Sequence, residues 1–356
     1  MRGTLAGGVG PVAAISAAAR SILVVGPAWV GDMVLAQSLF KVLVARQPEG
    51  TIDVLAPAWS RPLLERMPEV RHALALPLGH GALGLGIRYR LGHQLRQAGY
   101  AQAILLPNSL KSALVPLWAG IPRRTGFLGE WRWGLLNDIR PLDRQRLPRT
   151  VDRFVALALD SEESLPASLP FPALRVNQRA IPPHLAALGV SLDRGPILAL
   201  CPGAEYGPAK QWPINHYGAL ARQYSLRGWQ VWVFGSPKEK QLGDQIAAQV
   251  GAGVINLAGT TQLGEAVDLL ALARAVVTND SGLMHVAAAL NLPVLALFGS
   301  SDPTHTPPLG TRIRILTLNL PCSPCWRRRC PLGHIDCLRR ITPADVATAL
   351  DQLLIE

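Results

Sequence analysis

"SILVVGPAWVGDMVLAQ", residues 21–37, joins an unbroken apolar run to a short glycine-bearing turn and then to a segment whose apolar residues recur at helical spacing. A continuous apolar run that ends this way is how a strand covered on both faces hands over to a helix in a parallel sheet. The turn has only the outline of a nucleotide loop. Its glycines, Gly26 and Gly31, do not make G-x-G-x-x-G, no P-loop lysine follows, and Asp32 stands at the helix start. A carboxylate is a poor neighbour for a phosphate, so this turn serves something else.

The same alternation runs outward along the chain. "TIDVLA" (51–56) and "AQAILLP" (101–107) are further strand runs of the first half. "PILALCPG", "WQVWVFGS", "GVINLAG", "RAVVTND" and "LPVLALFG" follow in the second, each trailed by a helical pattern. Prolines and an acidic, serine-rich cluster break the pattern in between. The sequence therefore predicts an α/β protein with two doubly wound, Rossmann-like domains, 21–165 and 193–356, joined by a linker at 166–192. Ligands of such sheets bind beyond the carboxyl ends of the strands, so two facing domains make a cleft. A last helix, 342–354, is free to pack on either domain. The alanine- and glycine-rich stretch 1–20 lacks the leucine-rich centre of a signal peptide and reads as a disordered extension.

With 356 residues, 49% of them hydrophobic, the chain has material for two substantial cores. No apolar run reaches the ~18 residues that a membrane span requires. The charge is strongly basic: 35 Lys and Arg against 24 Asp and Glu, formally +11. That excess points to an anionic partner, whether nucleic acid, an anionic membrane surface or a phosphorylated substrate. Cys201 stands alone and the other four cysteines crowd between 322 and 337, a usage that fits a reducing, cytoplasmic setting.

The nucleotide signal lies in the second half. In "VVTNDSGLMHVAAAL" (276–290) a buried strand ends at Asn279-Asp280, Ser281 can cap, and a helix opens at Gly282. Its free N–H groups make an anion site, Gly282 lets a phosphate approach, and His285 lies one turn in on the same side. "CPGAEYGPAKQWP" (201–213) brings Lys210 on a loop after another strand, with Pro213 suited to a first helical position. "FGSPKEKQLG" offers Glu239 for a ribose hydroxyl, with Lys238 as its rival, and "NLAGTTQLGEAVDLL" offers Thr260 and Thr261. Four polar strand-to-helix junctions in one domain argue for one shared site. In the first half, "LPNSLKSALVPLWAGIPRRTGF" (106–127) presents Asn108, Ser109, Lys111, Arg123 and Arg124, and arginines suit carboxylates and phosphates. Cys322, Cys325, Cys330 and Cys337 are spaced C-x2-C-x4-C-x6-C with His334 nearby, a pattern open to a structural zinc, a staple or plain thiols.

The stretches "GPAWVGDMVLAQSL", "PGAEYGPAKQWP", "TNDSGLMHVAAAL" and "CSPCWRRRCPLGHIDCL" together resemble the ADP-heptose:lipopolysaccharide heptosyltransferases of glycosyltransferase family 9. The resemblance spans residues 21–355 with the motifs in order, and is nearest to the type II enzymes. It implies a GT-B architecture with the donor in the C-terminal domain and the acceptor mainly in the N-terminal one. It also implies inverting transfer of L-glycero-D-manno-heptose from ADP-heptose to the first heptose of the lipopolysaccharide inner core, heptosyl-Kdo2-lipid A, with no required cofactor and no catalytic metal. Asp32 matches the family's base. Its helix-start position is expected to keep it ionised and lower its basicity. Lys210, Asp280, Ser281, Gly282 and His285 match the donor motifs, with Lys210 also stabilising the leaving ADP. Glu239, Thr260 and Thr261 complete the expected donor set. Glu205 and Tyr206 stand where some relatives have threonines. Gly31, Asn108, Ser109, Lys111, Arg123 and Arg124 are the expected acceptor set. The implied partners are ADP-heptose, the anionic inner core and, peripherally, the cytoplasmic face of the inner membrane, with no nucleic acid.

Two other readings compete. A type I or III enzyme, or another nucleotide-sugar transferase, would share the donor motifs; the type I enzymes lack the cysteine-rich segment. A basic nucleic-acid-binding module with a zinc knuckle explains the charge and the cysteines but leaves Asp32 and the 280–285 segment without a task. A dehydrogenase is disfavoured, since neither half shows G-x-G-x-x-G after its first strand.

Overall fold

The computed structural model describes residues 21–79 and 81–356. The expected extension at 1–20 lies outside them. The first half forms strands β1 (Ser21–Val25), β2 (Thr51–Pro57), β3 (Val70–Leu76), β4 (Gln102–Leu105), β5 (Arg123–Phe127) and β6 (Asp138–Arg140). The second forms β7 (Ile197–Cys201), β8 (Gln230–Val233), β9 (Val254–Asn256), β10 (Ala275–Asn279), β11 (Val294–Leu297) and β12 (Ile313–Leu316). These build two six-stranded sheets, β3-β2-β1-β4-β5-β6 and β12-β11-β10-β7-β8-β9. Every neighbouring pair is parallel. Read from its own first strand, each sheet has the doubly wound order 3-2-1-4-5-6. The order reverses between β1 and β4 in one half and between β7 and β10 in the other, and ligands gather at such reversals.

All eight apolar runs quoted above are strands. The four strands the runs did not announce are β3, β5, β6 and β12. Three of these are sheet edges, and β5 opens on two arginines. None carries the continuous apolar signature of a strand covered on both faces.

The helix Val30–Arg46 follows β1 and is buried along most of its length, as is the helix Gly282–Ala289 that follows β10. The two helices pack on each other across the halves, start against start. A Cβ on Gly31 would stand 2.6 Å from Cδ2 of His285, and one on Gly282 would stand 2.7 Å from Cβ of Val30. Only glycine allows this approach. At both glycines the missing side chain admits the other helix.

One hydrophobic cluster runs through both halves, from Val24, Met33 and Phe40 to Trp232, Met284 and Phe298. The expected linker is itself built in. The amide of Gln37 exchanges two hydrogen bonds with the backbone of Ala173, at 2.9 and 2.8 Å, while Leu174 N–H donates to the carbonyl of Ala289. The stretch 166–192 also contains a helix, Ile181–Leu188, which packs on the helix Leu263–Leu270. The last helix, Pro343–Ile355, packs on the second sheet, beside β11 and β12. No helix among the described residues is long and apolar enough to cross a membrane.

A buried ion pair also joins the halves. Arg66 donates to both oxygens of Asp268, at 2.5 and 3.3 Å, and Asp268 also accepts the N–H of Asn177 at 2.9 Å. Removing one partner of such a pair strands the other charge. Arg66→Ala is therefore expected to cost about 3 kcal/mol of folding stability, read as a lowered midpoint of denaturant unfolding. An unchanged midpoint would show the clamp to be idle.

Candidate active site

The reversal point of the second sheet lies between the loop after β7 and the end of β10, and Asn279 ties the two together. Its amide nitrogen donates to the carbonyl of Pro202 at 2.7 Å, and its oxygen accepts the N–H of Trp212 at 3.0 Å and the hydroxyl of Tyr217 at 3.1 Å. Trp212 and Tyr217 are fully buried, so the loop is held from beneath. Lys210 is thereby carried to Asp280, with which it forms an ion pair. Asp280 also accepts the hydroxyl of Ser301, from the turn after β11. Neither Asn279 nor Ser301 was singled out in the sequence. The signal was present in "TND" and "FGSSDP", polar residues directly after buried apolar runs.

Ser281 occupies the N-cap position with extended backbone, but its side chain makes no cap bond and lies 3.4 Å from the hydroxyl of Thr278. The expected capping bond is thus absent, and the first-turn N–H groups stay available to an anion. Pro213 likewise sits at the N-cap, one place before the helix Ile214–Leu226.

Across this turn stands Asp32. Burial pushes its carboxyl up to about 6, opposed by the charge of Lys210 and reinforced by that of Asp280. The expectation of lowered basicity is overturned: at this junction desolvation outweighs the helix start. His285 lies beneath, buried against Gly31, with its Nδ1 unpartnered. Burial lowers its pKa to about 4, so at neutral pH it is a neutral imidazole. Asp32, Lys210, Asp280 and His285 thus meet where the two helix starts touch.

The remaining donor candidates ring the same edge of the second sheet. Glu239 caps its own turn by accepting the N–H of Ser236 at 2.7 Å, and its carboxylate presses on Gly203, where any Cβ would collide with Oε1. Lys238 pairs with Glu205 at 2.6 Å. The hydroxyls of Thr260 and Thr261 both turn to the carbonyl of Leu257, at 3.0 and 3.4 Å.

The acceptor candidates divide. Asn108, Ser109 and Lys111 lie on the turn after β4, beside the first sheet's reversal point. Arg123 and Arg124 open β5 in register with Gln102 and Ala103, at the amino ends of the strands and away from Asp32. Arg123 pairs with Asp138 at 2.8 Å, and Arg124 donates to the carbonyls of Leu135 and Ile121 at 2.7 Å each. Their expected place at the acceptor is corrected: these two arginines tie β5 to its surroundings. The arginine that does sit at the carboxyl end is Arg132, which was not anticipated. It is buried, donates to the carbonyls of Pro107 and Phe127 and to the side chain of Asn108, and so fixes the turn bearing the other candidates.

The four cysteines of the 322–337 segment are free thiols lining one small cavity, of about 20 Å³, with Ser300 and His334. Among the described residues no group of three or more His, Cys, Asp or Glu side chains is gathered to hold a metal ion.

The chain and its fold are similar to known proteins. The model of glycosyltransferase family 9 (heptosyltransferase) matches residues 88–336. The chain is 49% identical to lipopolysaccharide heptosyltransferase 2 of Escherichia coli K12, over 94% of this chain and 99% of that protein. It is 46% identical to lipooligosaccharide heptosyltransferase 2 of Haemophilus influenzae, over 84% and 88%. The solved structure of E. coli ADP-heptose lps heptosyltransferase II superposes with a TM-score of 0.85 at 47% identity, covering 94% of this chain and 98% of that one. A chain whose motifs, twin sheets and long-range likeness coincide to this extent belongs to glycosyltransferase family 9, the heptosyltransferases.

Proposed function

We propose that the protein transfers L-glycero-D-manno-heptose from ADP-heptose to the first heptose of the lipopolysaccharide inner core, working at the cytoplasmic face of the inner membrane. The names of its relatives support this donor and acceptor. The observation that carries the chemistry is the meeting of Asp32, from the first half, with the Lys210–Asp280 pair of the second. In an inverting transfer the acceptor hydroxyl attacks the anomeric carbon as the bond to ADP breaks. Asp32 takes the hydroxyl proton, and its raised pKa suits a general base. ADP leaves with growing negative charge, which Lys210 and the N–H groups at Ser281–Gly282 oppose. Asp280, held by Ser301, positions the lysine. Neutral His285 donates or accepts a hydrogen bond without adding charge. Protein groups alone supply the neutralisation in this reading, so no cofactor is called for.

The acceptor is tested by following ADP release from ADP-heptose with inner-core acceptors carrying either no heptose or one. Release only with the one-heptose acceptor is expected. Release only with the heptose-free acceptor would assign the chain to the first transfer instead.

A further inference from the structure

The cysteine-rich segment has no part in the reaction as described, yet its backbone is fastened to the loop that carries Lys210. The carbonyl of Arg328 accepts the N–H of Ala209 at 3.1 Å, and the carbonyl of Trp326 accepts the hydroxyl of Tyr206 at 2.7 Å. Gly207 lies against Arg328 so closely, at a φ of +154°, that a Cβ would stand 2.4 Å from the Arg328 oxygen. On the other side, the N–H groups of Cys325 and Trp326 donate to the carbonyl of Ser300, next to the Ser301 that holds Asp280. Two walls of the Lys210–Asp280 site are thus fixed to one arm.

That arm delivers a cation. The guanidinium of Arg328 lies 5.4 Å from the centre of the Tyr206 ring, and Nζ of Lys210 lies 4.9 Å from the same centre. Stacking holds a guanidinium in place without neutralising it. Among the described residues no carboxylate pairs with Arg328, and the adjacent Glu205 is taken by Lys238. Lys210 has its counter-charge in Asp280, so Arg328 is the cation on this ring left to meet an anion.

We infer that Arg328 is a second diphosphate-binding residue, which closes with Lys210 on the pyrophosphate of the sugar nucleotide; this rests on the donor reading given above. Tyr206 is then the platform that sets the spacing of the two cations. The segment bounded by the cysteines is the scaffold that presents Arg328.

The test is the binding of ADP and of adenosine to the full-length protein, by calorimetry, in Arg328→Gln, Arg328→Lys and Lys210→Ala. Glutamine retains a planar end for Tyr206 and every backbone contact while removing the charge. Arg328→Gln is expected to weaken ADP about tenfold, the scale of one charge-assisted hydrogen bond, and to leave adenosine unchanged, with Arg328→Lys regaining part of the loss. Unchanged ADP binding in Arg328→Gln, with binding lost in Lys210→Ala, would overturn the role of Arg328 alone. Equal weakening of ADP and adenosine would overturn it too, as a sign of a displaced loop. Normal ADP binding in Lys210→Ala would overturn the donor reading and this inference with it.

Discussion

Asp32→Asn is expected to lower kcat by about 10³-fold while ADP still binds. Asparagine keeps the size and most hydrogen bonds of the side chain but cannot take a proton from the acceptor. The pH profile of the unaltered enzyme carries the same assignment. A base works ionised, and burial holds this carboxyl near 6. The rate should therefore fall about tenfold per pH unit below that value and level off above pH ~7. Stability moves the other way. Between the ordinary value of 3.8 and about 6 the folded protein keeps a proton that the unfolded chain has lost. Folding is favoured on the acid side, and that contribution disappears as pH rises through 6. Asp32→Asn, uncharged throughout, should unfold later than the parent at pH 8 although it is nearly inactive. Near-normal turnover in this variant would end the case for Asp32 as the base.

Lys210→Ala is expected to lower kcat by about 10²- to 10³-fold, the usual effect of removing one group that faces developing negative charge, and to weaken ADP as well. Two secondary effects separate it from a simple loss of contact. Asp280 is left buried with the hydroxyl of Ser301 and without its counter-charge. Asp32 also loses the cation that favours its ionised form, so the midpoint of the rate–pH curve should move upward. Steady-state kinetics across pH 5 to 9 reads all of these. A midpoint that stays in place would mean that Lys210 and Asp32 do not share one site.

How far the sequence carried the fold depended on burial. Strands covered on both faces, such as β1, β7 and β10, are legible as apolar runs, and the reversal points follow from them. Strands β3, β6 and β12 are edges with half-exposed patterns, and β5 begins with Arg123 and Arg124, so neither signal was available there. The same two arginines show the limit for the site. Charge alone suggested an acceptor contact, and only the strand register reveals that they stand at the opposite end of the sheet. Asp32 shows a different limit. The helix start could be read from the sequence, but its burial depends on a helix more than two hundred residues away, and that burial reverses the direction of its pKa. Asn279 and Ser301 were passed over because each acts through a partner distant in sequence.

The hydrophobic cluster that passes from the first sheet into the second has a thermodynamic consequence. Side chains such as Met33 and Met284 belong to one interior, so loss of that packing in one half exposes apolar surface in the other. Unfolding then becomes a single cooperative event over both sheets, although the strand order alone describes two repeated units. A fragment ending between them would carry an apolar wall with nothing against it. Substitutions deep in the helix Val30–Arg46 would disturb the end of β10, and those beneath β10 the position of Asp32, because both draw their rigidity from the same packed volume.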